Sequence, residues 1–215
     1  MEKTINQIIE YINKSDERLI IGISGHGASG KSTFAEKLTS KLNKDVYNLL
    51  NTDAYIIPSK YRKDIQAAYP SKGEKHTYKV TACMPAAHEL GSLTRDILLL
   101  RNGEDLRTID AHWSPSELLY GSRRVTIIEG MSVAFIDKNL FDLSIYIFTD
   151  EQTEFDRRSD RDVNERGRNL QQLKDSHHER RIQYEMFMHP ESESFDVVID
   201  NSDDGFKTVK SCFND

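Results

Sequence analysis

A three-layer α/β fold, with a five-stranded parallel sheet and helices on both faces, is predicted by two features of the sequence. Five short apolar, β-branched runs alternate with stretches of helical periodicity. Between the first run and its helix lies a glycine-rich turn that closes on Gly30-Lys31-Ser32. The 215 residues suffice for one α/β domain with a substantial core, so 1–215 is read as a single domain.

The elements follow in order. Residues 4–14 carry Ile5, Ile8, Ile9 and Ile12 as a helical stripe, with Thr4 placed to cap it. Leu19 to Ile23 reads as a buried strand, and FAEKLTSKL after the turn as a helix. VYNLL, 46–50, is the second strand. Residues 55–85 are the least regular part, with several lysines, Arg62 and the tyrosines Tyr55, Tyr61, Tyr69 and Tyr78. Two readings stay open for this excursion: a substrate-side insertion over a pocket, or a solvated loop. Residues 86–101 form a helix that Asn102-Gly103 stops. RVTIIEG, 124–130, and LSIYIFT, 143–149, are the third and fourth strands. Asp150 caps a helix over 151–161, a second helical stretch covers 169–187, and FDVVID, 195–200, is the fifth strand. The tail to Asp215 shows no pattern.

The turn carries the clearest chemistry. Gly25 to Ser32 is a G-x-x-x-x-G-K-[ST] pattern between a strand and a helix, the arrangement of the P-loop NTPase fold. Gly25, Gly27 and Gly30 let successive amides turn inward as an anion nest, and the helix adds its unpaired N–H groups. Lys31 brings a compact cation to the outer phosphates, and Ser32 a hydroxyl for Mg2+. Residues 25–33, including His26, Ala28, Ser29 and Thr33, are thus expected to cradle a nucleoside triphosphate. The same glycines spell G-x-G-x-x-G, the dinucleotide fingerprint, with Asp53 at a suitable distance. That fingerprint has no use for Lys-Ser directly after its last glycine, which favours the phosphate cradle.

Two acids stand at strand ends, where open parallel sheets bind ligands. Asp53 follows the second strand and reads either as a reacting group or as an ordinary turn cap. Glu129 ends the third strand and reads either as an acid that orients Mg2+-bound water or the substrate, or as a solvated strand end. Arg157, Arg158, Arg161, Arg166 and Arg168 cluster with acids around 156–168. They read either as a salt-bridged helix end or as an arginine-rich lid, 151–185 with its following helix, that closes on a transferring phosphate. His112 and Trp113 read as packing.

Composition excludes other classes. A net charge of -6 gives no basic field for nucleic acid. No apolar run approaches bilayer length, so no membrane partner is expected. Cys83 and Cys212 are far apart and in no metal spacing, as in a cytoplasmic protein with reduced thiols. Self-association is compatible with all of this.

Together GISGHGASGKST, NTDAYI, VTIIEGM, RRSDRDVNERGRNL and FDVVIDNS resemble the uridine kinase and phosphoribulokinase family of P-loop kinases, nearest the uridine kinase branch, over residues 18 to 200. The resemblance implies an ATP-dependent kinase that phosphorylates a hydroxyl of a small molecule. It implies that Asp53 takes the acceptor's proton, with Lys31, Arg161 and Arg166 as catalytic partners. It implies Arg158 and Arg168 on ATP, and Ser32 and Glu129 on Mg2+. It implies Asp53, Tyr55, Asp110, His112, Arg161 and Arg166 on the acceptor.

The nucleoside half departs from the family. Ile109 stands where a tyrosine is usual, and only Asp110 matches there. Ser114 occupies a histidine position, with His112 out of register, and Cys83 falls near a usual aspartate. Acceptors of the pantothenate, sugar phosphate or nicotinamide riboside kind therefore stand beside the nucleoside. So does a non-metabolic nucleotide-binding protein.

Overall fold

The structure, a computed structural model, describes residues 1–161, 170–202 and 205–213. Helix α1 (Glu2–Lys14) leads into β1 (Leu19–Ser24) and α2 (Lys31–Thr39). Strand β2 (Tyr47–Asn51) runs through a 3-10 turn, Thr52–Tyr55, to the one-turn helix α3 (Ser59–Arg62) and the hairpin β3 (Gln66–Ser71) and β4 (Glu74–Lys79). After α4 (Leu90–Arg101) comes a small hairpin, β5 (Leu106–Arg107) and β6 (Leu118–Leu119). Strands β7 (Val125–Glu129) and β8 (Leu143–Phe148) precede α5 (Glu151–Asp160) and α6 (Leu170–Gln183), and β9 (Val197–Asp200) and β10 (Lys207–Lys210) follow.

The central sheet has six strands in the order β2-β7-β1-β8-β9-β10. All five expected strands are present and parallel. The sixth, β10, is an addition: it joins β9 antiparallel at the edge. Its residues are all exposed, so no apolar alternation marks it in the sequence. Residues 55–85 also hold more order than expected. Both Lys72 and Gly73 have positive φ, at 51° and 85°, and turn β3 back onto β4. Two such residues in a row make the tight turn whose twist suits a hairpin.

The side-chain period of two divides the strands between two cores. Ile21, Ile23, Val125, Ile127, Ile145 and Ile147 face α1 and α2, where Ile5, Ile8, Ile12, Phe34 and Leu38 are buried. Ile20, Leu50, Ile128 and Tyr146 face the other layer, with Leu93, Ile97 and Leu100 of α4 and Tyr184 beyond α6.

The strand order positions the site. β1 has β7 on one side and β8 on the other, so the chain crosses over β1 and leaves a crevice at the carboxyl edge. The register sets Ile23 and Asn51 both level with Glu129. The loops after β1, β2 and β7 therefore leave the sheet at one height.

Candidate active site

The three loops enclose a cleft of about 1300 Å³. One wall is the glycine turn: Gly27, Ala28 and Gly30, followed by Lys31, Ser32 and Thr33 of α2. Gly30 has φ 93° and caps α2, and a Cβ there would meet the Asn201 side-chain amide. That amide donates to the Ser29 carbonyl at 2.8 Å, so the turn is pinned against the end of β9. The first N–H groups of α2 have no acceptor inside the helix, which makes this end electropositive.

Behind the turn, His26 and Ser29 are fully buried, so their side chains face away from the cleft. The His26 Nδ1 donates to the Gly27 carbonyl at 2.9 Å, and Nε2 accepts from the Thr149 amide at 3.0 Å. Burial pulls this imidazole down to about 4, against the pull of Glu154, so it is neutral near pH 7. Lys31 Nζ lies 3.5 Å from the His26 carbonyl and lines the cleft.

Glu129 sits at the floor. Its Oε1 accepts from Ser32 Oγ at 3.0 Å and from Asn51 Nδ2 at 2.8 Å. Its Oε2 is buried with no hydrogen-bond partner among the described residues. Burial pushes its carboxyl above the usual range, Lys31 and Ser32 draw it back, and Asp53 and Glu36 push it up again. The charge of Asp53 thus reaches Glu129 across the floor.

Asp53 is exposed on the opposite wall. Its N–H donates to Asn51 Oδ1 at 2.8 Å, and its carbonyl accepts from Trp113 Nε1 at 3.2 Å. His112 and Trp113 both line the cleft, as do Ile56, Lys60 and Arg62. Arg62 is held by the Ile57 carbonyl at 2.6 Å and the Val80 carbonyl at 3.0 Å. Arg157 and Arg161 at the end of α5 and Arg180 of α6 also line the cleft.

The expected residues divide accordingly. Lys31, Ser32, Asp53, His112, Glu129 and Arg161 come together around the cleft. Tyr55 does not: it is fully buried, with its hydroxyl on Asp96 Oδ2 at 2.6 Å, and it serves the α4 layer. Asp110 does not line the cleft, and its carboxylate accepts from the Ser116 amide at 3.1 Å. Arg158 is nearly buried against Glu154 at 3.5 Å, behind the wall. Arg166 and Arg168 lie outside the described residues. His112 and Trp113, read as packing, instead line the cleft, and Asn51, Arg62 and Arg180 carried no site role in the sequence. Only Asn51 had a local signal, two residues before Asp53 at a strand end.

The profile of the phosphoribulokinase / uridine kinase family matches residues 20–205. The chain is 28% identical over 197 residues to a uridine kinase of Lactobacillus helveticus, covering 87% of this chain and 89% of that one. It is 27% identical over 206 residues to the chloroplastic phosphoribulokinase of Arabidopsis thaliana, covering 88% of this chain and 51% of that one. The chain thus spans about half the length of the plant phosphoribulokinase. Among solved structures, a phosphoribulokinase from Rhodobacter spheroides shares the fold, with a TM-score of 0.59 at 16% identity over 87% of this chain and 71% of that one. With its glycine turn, strand-end acids and strand order inside the matched span, the chain belongs to the phosphoribulokinase / uridine kinase family.

Proposed function

We propose that the chain is an ATP-dependent kinase that transfers the γ-phosphoryl group to a hydroxyl of a small molecule. The observation that carries this reading is the placement of Asp53 on the wall facing Lys31 and Ser32, with Glu129 on the floor between them.

Phosphoryl transfer asks a protein for alignment and for compensation of negative charge more than for covalent chemistry. The amides of residues 27–33 and the Lys31 ammonium hold the polyphosphate of ATP. Asp53 orients the acceptor hydroxyl and takes its proton as the new O–P bond forms. Arg161 supports the phosphates from the lid side.

Ser32 and Glu129 fit Mg2+, because both are hard oxygen donors and Glu129 Oε2 is a buried carboxylate oxygen without a partner among the described residues. Among the described residues no cluster of three or more His, Cys, Asp or Glu forms a protein-only metal cage, which suits an ion that arrives with its nucleotide. When bound, the ion neutralises charge on the phosphate oxygens.

The relative named uridine kinase favours a nucleoside acceptor. Arg62 favours a second reading, an acceptor that carries its own anion, such as a sugar phosphate. It is a half-buried guanidinium on the acceptor wall, fixed by two carbonyls, and it has no carboxylate partner among the described residues. A buried cation without a counter-ion is costly, and an anionic ligand removes that cost. A cytoplasmic setting belongs to the same proposal, supported by the free thiols Cys83 and Cys212.

The test is a screen of uridine, cytidine, ribulose phosphate, pantothenate and nicotinamide riboside with coupled detection of ADP. Acceptor-stimulated ADP release is expected. ADP release that no acceptor stimulates would favour a nucleotide-binding protein instead.

A further inference from the structure

We propose that Arg180 is a catalytic residue of this cleft, contacting the phosphoryl group in transfer, and that Glu154 is the positioning residue that aims it there. The inference rests on the kinase reading above.

Arg180 belongs to neither the glycine turn nor the arginine-rich stretch around 156–168. It stands on α6, and its side chain lines the cleft. Nη2 lies 3.8 Å from Met131 Sδ and 3.3 Å from where a Cβ on Gly27 would stand. Gly27 is in the phosphate-binding turn, and Met131 is two residues beyond Glu129. The guanidinium therefore spans the gap between the donor cradle and the carboxyl end of β7. Its charge also acts on Arg62, on the acceptor wall. A cation that adjoins the donor loop and lines the cleft is placed to meet a phosphoryl group held there.

Glu154 supplies the hold. It is 1% exposed and lies on α5, and within 4 Å it meets three guanidiniums and the His26 imidazole among the described residues. Oε1 is 3.5 Å from Arg158 Nη1 and 3.8 Å from Arg180 Nε, while Oε2 is 3.2 Å from Arg181 Nη1 and 3.6 Å from His26 Nδ1. Arg181 also binds Glu185 at 3.0 Å and the Thr149 carbonyl at 3.2 Å, and Arg158 is nearly buried. Of the three, Arg180 is the one that lines the cleft. His26 fixes the frame, because the imidazole that faces Glu154 also donates to the Gly27 carbonyl. The phosphate turn and the arginine cluster thus share one buried anchor.

In the transfer, the acceptor oxygen forms its bond to phosphorus as the bond from phosphorus to the ADP oxygen breaks. The hydroxyl proton passes to Asp53. Arg180 keeps its protons and donates N–H groups to the oxygens of the moving group, where planar guanidinium donors match best.

The test needs no acceptor. ADP with aluminium fluoride mimics the phosphoryl group in flight, and ADP alone is the reference. Arg180→Ala and Arg180→Lys should both stay folded, because Glu154 keeps Arg158 and Arg181. Each should weaken binding of the ADP and aluminium fluoride complex by about 10³-fold, the low end for an arginine on a transferring phosphoryl, with ADP affinity held. Added guanidinium ion should restore part of the binding to Arg180→Ala. Glu154→Gln should weaken the same complex in the unaltered chain and add nothing in the Arg180→Ala background. An Arg180→Ala protein that binds both ligands as the unaltered chain does would overturn the catalytic role. Additive losses in the double variant would overturn the positioning role. An unaltered chain that binds neither ligand would remove the kinase reading itself, and this one with it.

Discussion

The Ser32 hydroxyl donates to Glu129 Oε1 across 3.0 Å, so the first turn of α2 is tied directly to the carboxyl end of β7. The tie follows from the parallel register, which brings Glu129 level with Ile23 at the point where β1 enters the glycine turn. Asn51 holds the same oxygen from the neighbouring strand at 2.8 Å. One carboxylate therefore joins the loops after β1, β2 and β7, while its second oxygen stays buried with no hydrogen-bond partner among the described residues.

Glu129→Gln should stabilise the protein at neutral pH and impair it as an enzyme. Burial raises the Glu129 carboxyl above its ordinary range. Such a group binds more protons folded than unfolded, so its contribution to stability is full below the unfolded carboxylate pKa and is lost as pH rises through the folded one. The amide keeps an oxygen for Ser32 and Asn51 and carries no charge to bury. Thermal unfolding at pH 7 should shift upward, by about 2–4 °C for each kcal/mol relieved at this chain length. Turnover should fall by at least about 10–100-fold, the cost of disturbing even a metal's outer shell, because Glu129 is itself a proposed donor to Mg2+. An unchanged melting temperature together with unchanged turnover would remove Glu129 from both roles.

Asp53→Asn separates proton transfer from nucleotide binding. Asp53 is exposed and its backbone is held by Asn51 and Trp113, so the substitution leaves the turn intact. Calorimetry should give an ATP affinity close to that of the unaltered chain. Turnover should fall by about 10²–10⁴-fold, the range for loss of a general base. A variant that turns over normally takes the base role away from Asp53.

Acid should destabilise the fold through two buried histidines. Burial brings both His26 and His88 down to about 4. Their tautomers are opposite: His26 donates through Nδ1 to Gly27, whereas His88 donates through Nε2 to Ala82 at 3.0 Å and meets Ser132 with Nδ1 at 2.8 Å. Each holds fewer protons folded than unfolded between those values and the ordinary histidine range. Stability is therefore full above about pH 6.5 and declines as pH falls toward 4. The steepest loss is about 1.4 kcal/mol per pH unit for each histidine. His88→Gln should flatten the decline of the melting temperature between about pH 6.5 and 4 by one histidine's share. Parallel curves for the two proteins would show that His88 takes no proton on unfolding.

Local chemistry was legible and long-range packing was not. Gly25 to Ser32 announces itself because every residue of the cradle lies within one turn and the helix after it. Glu129 and Asp53 are legible because an acid after an apolar run marks the carboxyl edge of a parallel sheet. Tyr55 misleads for the opposite reason. It stands two residues from Asp53, but its partner Asp96 is on α4, and the direction of the side chain depends on a layer no local pattern describes. Arg180 is hidden in the same way, since only the packing of α6 against the glycine turn gives it a place. Strand β10 escapes because an edge strand with both faces in water needs no alternation. The hairpin turn Lys72-Gly73 does leave a local mark, as a two-residue link between strand-length segments.

Trp113 should report acceptor binding directly. It is the sole tryptophan of the chain, it is 50% exposed, and its indole N–H donates to the Asp53 carbonyl at the mouth of the cleft. A molecule seated beside Asp53 would cover one face of the ring and displace water from it. Emission should shift to shorter wavelength and resist quenching by acrylamide as the acceptor is added. ATP alone, proposed to bind along residues 27–33, should change the signal little. Trp113→Phe should abolish the signal and raise the acceptor KM by about 2–10-fold, the worth of one ordinary hydrogen bond, because the Asp53 turn loses its tether. A saturating acceptor that leaves the emission untouched would mean that the hydroxyl enters from elsewhere, and Asp53 would then face an empty wall.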